Sequence, residues 1–252
     1  MLPTPYYRDD HTILYCADNN DVLPFLPERC VDLVLTDPPF SDETHDGART
    51  NPGNEPQPMI DFSSISAWSL SNTFDRLGYV ARRWVVASLD WRHYAELERI
   101  PPAFLRPVRF GIWDKPNGAP QFTGDRPATG WECIGILHRA GVRMAWNGGG
   151  HRAVWRHNKI NDPFNPTAKP PVLVAELIEL FSNPGDLILD PFCGVGTTLL
   201  QARALGRVAV GIERDAEQCA EIVRRLKPTF GEPVRRRAKA APLDLPMFQE
   251  AA

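Results

Sequence analysis

No stretch of the 252 residues approaches the roughly 18 consecutive apolar residues that a membrane-spanning helix requires. The first residues, MLPTPYYRDD, lack the apolar core of a secretory signal. Cysteine is scarce, and Cys16, Cys30, Cys133, Cys193 and Cys219 are odd in number and widely spaced, with no CxxC pair. That pattern argues against a disulfide framework and against a zinc site, so a reduced interior and no metal are expected. The net charge of −3 gives no global basic excess of the kind many nucleic-acid binders carry. No internal repeat is present. What remains is an ordinary globular composition, 43% hydrophobic and 23% charged, enough for one large domain or two small ones.

The apolar residues fall into short runs rich in Val, Ile and Leu, as strands covered on both faces tend to be. These are HTILYCAD (11–18), VDLVLTD (31–37), RRWVVASLD (82–90), VRFGIWDK (108–115), DLILD (186–190) and RVAVGIE (207–213). Helical periodicity appears at 171–182, 197–205 and 215–226. In the first of these Leu173, Val174, Leu177, Ile178 and Phe181 share a face, Pro171 sits in the first turn, and Asn183-Pro184-Gly185 stops the helix. Strands alternating with helices predict an α/β domain around a mainly parallel sheet.

Three segments break this rhythm. Residues 41–59 are polar and rich in Gly and Pro, and a mobile loop is expected over 41–60. Residues 116–130 and 141–165 read as loops, and from about Pro228 the chain reads as a tail carrying Arg235, Arg236, Arg237 and Lys239. Between 139 and 161 stand Arg139, Arg143, Arg152, Arg156 and Lys159 with no acid among them. Such a cluster is a solvated face or a phosphate-contacting patch.

Three spots hold candidate chemistry. In DLILDPFCGVGTTLLQARALG a strand ends at Asp190, a turn carries Gly194 and Gly196, and a helix opens at Thr197. Glycines there admit a ligand close to the backbone, beside the unpaired N–H groups of a helix start. The turn is not GxGxxG and no P-loop Lys follows, so phosphate is disfavoured. The next strand ends in Glu213, placed to accept from ribose hydroxyls, which suggests a nucleoside without a bulky phosphate. The second spot is Asp37-Pro38-Pro39-Phe40. Prolines fix φ and expose carbonyls. Asp37 and the Pro38 carbonyl can together accept from an exocyclic amino group, and Phe40 offers a stacking face; the tetrapeptide alone also reads as a tight turn. The third is NPTAKPP (165–171), whose Lys169 lies at a corner near the same sheet end or is an exposed loop lysine.

Together these motifs resemble the S-adenosylmethionine-dependent amino DNA methyltransferases that carry a (D/N/S)PP(Y/F) corner. DPFCGVGTT matches the cofactor motif, Glu213 the ribose acid, DPPF the catalytic tetrapeptide and NPTAKP the HPTQKP-like segment. CADNNDVLPFLPERCVDLVLTDPPF resembles the stretch leading into the catalytic motif, and FGIWDKPNGAPQF with GWECIGILHRAG resembles the Trp-x-Lys-x-Asn and Glu-containing region. The order, DPPF before FCGVG, is that of the β class, and the likeness covers roughly residues 10–226.

The resemblance implies a Rossmann-like methyltransferase fold with a mainly parallel seven-stranded sheet, helices on both faces and circularly permuted motifs, all in a single domain, 1–252. It implies S-adenosyl-L-methionine as cofactor, contacted by Asp18, Asp37, Thr167, Lys169, Asp190, Phe192, Cys193, Gly194, Gly196, Thr197 and Glu213. Catalysis falls to Asp37, Pro38, Pro39 and Phe40. The reaction implied is direct methyl transfer to an exocyclic nitrogen of a flipped base in double-stranded DNA. Adenine N6 leads, because cytosine-N4 enzymes more often carry serine where Asp37 stands; the N4 enzymes are the alternative, ahead of RNA or protein N-methyltransferases. Lys115, Arg143, Arg152, Arg156 and Lys159 are the expected DNA contacts, and 116–165 a short target-recognition region. The expected setting is the cytoplasm of a bacterial or phage-infected cell, with a homodimer compatible. Two departures stand out: Phe40 replaces the commoner Tyr, and Asn165 the His. Cys193 lies in the cofactor turn and not in a Pro-Cys pair, so it reads as a packing residue and not a carbon-5 nucleophile.

Overall fold

The computed structural model describes residues 1–39 and 67–227, with side chains from residue 70 onward in the second stretch. Phe40, the loop expected at 41–60 and the tail at 228–252 lie outside the described residues.

One sheet organises the chain. Its strands are β1 (Tyr7–Arg8), β2 (Thr12–Cys16), β3 (Val31–Thr36), β4 (Ala81–Leu89), β5 (Leu105–Asp114), β6 (Trp131–Arg139), β7 (Val154–Arg156), β8 (Leu187–Asp190) and β9 (Val208–Glu213). Their order is β1-β2-β9-β8-β3-β4-β6-β5-β7. Five adjacent strands, β2, β9, β8, β3 and β4, run parallel, with Cys16 opposite Glu213, Asp190 opposite Gly211, Val34 opposite Leu189 and Thr36 opposite Ala87. All five therefore end along one edge.

The helices are α1 (Asn19–Val22), α2 (Ala67–Val80), α3 (Trp91–Arg99), α4 (Pro171–Phe181), α5 (Thr197–Ala204) and α6 (Ala216–Leu226). Alternation along the strands sends side chains to two separate cores. On one face Ile13, Tyr15, Val34, Leu189, Val210 and Ile212 meet Leu70, Phe74 and Leu77 of α2 and Leu97 of α3. On the other, Leu14, Leu33, Leu35, Ile188 and Ala209 meet Leu173, Leu177 and Ile178 of α4, Leu199 of α5 and Ile222 of α6. A sheet clothed on both faces explains the near-continuous apolar strands. Among the described residues no helix is long and apolar enough to cross a membrane.

Among the described residues the expected seven strands become nine, for two reasons. β1 is a two-residue antiparallel addition to β2, too short for a periodic signal. β7 lies in the segment read as loop, and its three residues pair with β5, where Trp155 is buried between flanking exposed positions. The 108–115 run, expected as a parallel strand, is the second half of β5, which pairs antiparallel with β6 and parallel with β7. β6 also pairs antiparallel with β4. Within 116–165, β6 and β7 are parts of the central sheet, and the stretches before, between and after them are loops.

Candidate active site

The shared strand edge gathers acids. Asp18 follows β2, Glu213 ends β9, Asp190 ends β8 and Asp37 follows β3. Beside them runs a cleft lined by Thr36, Asp37, Ser88, Asn165, Lys169, Asp190, Phe192, Cys193, Gly194, Thr197 and Thr198, floored by Leu173, Val174 and Leu177 of α4. Residues 154 positions apart in sequence thus share a wall.

The glycine turn has local causes. Gly194 and Gly196 adopt positive φ, 52° and 81°, where side chains are strained. A Cβ on Gly196 would lie 2.9 Å from Ile222 Cγ1, so α6 closes the turn from behind. Glu213 holds the front: its Oε2 accepts from the Gly194 N–H at 2.8 Å, and its Oε1 from the Asp215 N–H at 2.9 Å. Burial raises the Glu213 carboxyl above its ordinary value, opposed by those N–H donors. Asp190 accepts from Thr36 Oγ1 at 3.0 Å and from the Phe192 N–H at 3.2 Å. Burial outweighs these bonds and pushes its pKa to about 7. Cys193 is buried and its thiol is raised well above the usual range by desolvation, as befits packing and not nucleophilic attack.

Asp37 does not stand alone. Lys169 donates to its Oδ2 and also lies 3.3 Å from Glu132 Oε2. Glu132 Oε1 accepts from Lys115, whose ammonium sits 4.5 Å from the Trp113 ring centroid. The charges alternate along Asp37, Lys169, Glu132 and Lys115. Burial raises the Asp37 carboxyl against the pull of Lys169. The Lys169 ammonium is desolvated, yet Asp37 and Glu132 hold its pKa above the ordinary value.

Each expected site residue other than Phe40, which lies outside the described residues, has a definite place. Asp37, Lys169, Asp190, Phe192, Cys193, Gly194 and Thr197 line the cleft. Pro38 is buried and Pro39 half-buried at the end of β3. Asp18 is on the neighbouring strand end, where it caps α1 by accepting from the Asn20 N–H at 2.8 Å. Thr167 is exposed and donates to Asn165 Oδ1 at 2.7 Å through its hydroxyl. Arg143, Arg152, Arg156 and Lys159 are exposed. Lys115 belongs elsewhere: with 12% of its side chain exposed and Glu132 against it, it is a member of the buried chain and not a phosphate contact. Arg139 of the basic segment is likewise internal, donating to Tyr79 O at 2.9 Å and pairing with Glu28 at 2.5 Å.

Sequence reasoning gave no role to Glu132, Thr36 or Thr198. The signal for Glu132 was a single carboxylate near the start of the otherwise apolar run WECIGIL.

The DNA methylase family model matches residues 106–224. Over those residues, just under half of its length, the chain is similar to the N6/N4 amino DNA methyltransferases. It is 35% identical over 120 residues to the type II methyltransferase M.XycI of Xanthomonas campestris pv. cyanopsidis; the match takes in 42% of this chain and 39% of that protein. It is 25% identical over 260 residues to the type II methyltransferase M2.LlaDCHI of Lactococcus lactis subsp. cremoris, spanning 92% of this chain and 96% of the relative. Among solved structures, the M1.HpyAVI–SAM complex superposes with a TM-score of 0.66 at 21% identity, over 85% of this chain and all of the other. PvuII DNA methyltransferase, cytosine-N4-specific, gives 0.70 at 15% identity, over 91% of each chain. Both structures share the Rossmann-like methyltransferase fold with this chain.

Proposed function

We propose that this chain transfers a methyl group from S-adenosylmethionine to an exocyclic amino nitrogen of DNA, with adenine N6 as the acceptor. The observation that carries the reading is the cleft itself, in which the Asp37 corner of β3 and the glycine turn after β8 face each other across Asp190 and Thr36. An amine acceptor beside a nucleoside-sized turn is the arrangement such a transfer needs. Similarity to a family member with bound SAM supports the cofactor, and so does the donor set: Glu213, Asp190, Asp37 and Asp18 line up on the edge where a sulfonium cation would be welcome.

When bound, the cofactor supplies an electrophilic methyl on a cationic sulfur. Glu213 would hold the ribose, and the turn at Cys193–Gly196 would lie along the methionine part. Phe192 and Asp18 would border the remainder. Asp37 and the Pro38 carbonyl would accept hydrogen bonds from the target amine, favouring a more tetrahedral nitrogen whose lone pair is free to react. Positioning and electrostatics supply the acceleration, without a covalent enzyme intermediate. The base must leave the duplex to reach the cleft, at a cost of a few kcal/mol, offset in part by stacking on Phe40. Arg143, Arg152, Arg156 and Lys159 would meet phosphates, and the loops 116–130 and 140–153 would approach the grooves.

The test is direct. Incubate the protein with labelled S-adenosylmethionine and duplex DNA, digest, and identify the labelled nucleoside by mass spectrometry. N6-methyladenine is expected. N4-methylcytosine would move the acceptor to cytosine, the base acted on by the PvuII enzyme. Label in RNA alone would overturn the DNA reading. Asp37→Ala is expected to abolish transfer while leaving cofactor affinity within a few-fold.

A further inference from the structure

The proposed reaction uses Asp37, but the carboxylate is the end of a chain of charges that the reaction as described leaves idle. Lys169 divides its ammonium between Asp37 and Glu132, at 3.3 Å from the latter's Oε2. Lys115 clamps the other Glu132 oxygen, with the Trp113 ring against it. The three partners come from three places: Glu132 from β6, Lys115 from just past β5 and Lys169 from the corner before α4. All are largely buried, with 11%, 12% and 18% of the side chain exposed for Lys169, Lys115 and Glu132. Two carboxylates and two ammoniums make the set neutral.

We infer that Glu132, braced by Lys115, is a positioning residue for methyl transfer, drawing the Lys169 ammonium partly off Asp37 so that the carboxylate, which that lysine keeps ionised, has lone pairs free for the target amine. This rests on the reading of Asp37 given above.

The physics is a competition for lone pairs. A lysine held by Asp37 alone would close on it and displace the amine. Without any lysine, burial would favour the neutral acid, which offers one acceptor fewer. Glu132 sets the intermediate condition. During transfer positive charge moves from sulfur to the target nitrogen, so an uncompensated cation beside Asp37 would raise the barrier.

Among the described residues the charged groups facing Asp37 are Lys169, Glu132, Lys115 and Asp190. Glu132 and Asp190 disfavour a charged neighbour, while the two lysines favour it. Removing Glu132 should therefore lower the Asp37 pKa, and removing Lys115 should raise it. A merely structural role predicts no such opposition of sign.

The experiment measures methyl transfer to duplex DNA against pH for the wild-type protein, Glu132→Gln, Lys115→Met, the double variant and Glu132→Asp. Thermal melting and S-adenosylhomocysteine calorimetry on each serve as controls of folding. We expect kcat to fall roughly 10- to 100-fold in Glu132→Gln, with KM for the cofactor changed far less. Its acid limb should move to lower pH and that of Lys115→Met to higher pH. The double variant, again neutral, should recover part of the rate and return the limb towards wild type. Glu132→Asp, which keeps the charge, should hold the limb in place even where it melts earlier. Limbs that do not move, or that move the same way in both single variants, would overturn the inference while leaving the methyltransferase reading intact. A wild-type protein that transfers nothing to DNA would instead overturn that reading, and this inference with it.

Discussion

Asp190 carries a measurable consequence of its burial. Its carboxyl titrates near 7 because desolvation outweighs the hydrogen bonds from Thr198, Phe192 and Thr36. In the unfolded chain an aspartate titrates near 3.9. Between these values the folded protein keeps a proton that the unfolded chain has lost. Stability from this group therefore falls as pH rises from about 4 to about 7 and is level above that. Asp190→Asn removes the dependence while Oδ1 still accepts the same bonds. Its stability relative to wild type should improve by roughly 2–4 kcal/mol across that window, read by urea unfolding at pH 5 and pH 8. A constant difference would show that Asp190 ionises normally. Glu213→Gln tests the same edge by affinity: an amide that cannot accept at both oxygens loosens the Gly194 and Asp215 N–H groups, so cofactor binding should weaken about tenfold by calorimetry. Such residues were legible in the sequence because each ends an apolar run, where a parallel sheet collects its ligands. Lys115 and Arg139 were not, because a cation's sequence neighbours do not reveal the acid that faces it from another strand.

Elements tell a similar story with different limits. The strands β2, β3, β8 and β9 and the helices α4, α5 and α6 were visible through periodicity and their stop signals. β6 escaped notice, although WECIGILHR is strongly apolar, and β7 is too short to be periodic. What makes β7 a strand is tertiary: Trp155 fills the space over Gly111, where a Cβ would stand 2.7 Å from its Cζ3. The loop before β7 is pinned in a comparable way. The Asn147 side-chain amide donates to Glu179 O and Ser182 O, both at 2.9 Å, and its backbone N–H donates to Leu180 O at 2.9 Å. It thus satisfies carbonyls that the C-terminus of α4 leaves without helical partners. Replacing Asn147 by Ala should cost about 1–2 kcal/mol in unfolding free energy. Because the pin also places Arg143 and Arg152, the apparent Kd for duplex DNA should rise several-fold in the same variant. Unchanged values in both measurements would mean that the loop is held by its other contacts.

At the scale of the whole molecule the charge is arranged against its own total. The formal net charge of −3 would repel a polyanion, and the strand edge that forms the cleft is acidic. Attraction must then come from a local patch, and two of the sequence's candidate cations are already spent inside, Lys115 on Glu132 and Arg139 on Glu28. That leaves Arg143, Arg152, Arg156 and Lys159 as exposed cations of this segment, in β7 and on either side of it. They are not equivalent. Arg156 is 74% exposed but its Nε lies 3.1 Å from Asp114 Oδ2, so a phosphate gains only what that carboxylate gives up. Lys159 has its backbone fixed by Asn117, whose Oδ1 accepts from the Lys159 N–H at 2.7 Å, leaving the side chain to reach outward. Each phosphate contact contributes about 0.9 to the magnitude of the slope of log K against log salt. Alanine at Arg152 should therefore lower the slope by about 0.9, and alanine at Arg156 by less. Alanine at all four positions should lower it by about 3 to 4 if each meets one phosphate. Methyl transfer at saturating DNA should fall much less than affinity, because these side chains hold the duplex and not the base. A slope unchanged in the fourfold variant, measured by fluorescence anisotropy from 50 to 200 mM salt, would move the DNA path to another face of the sheet.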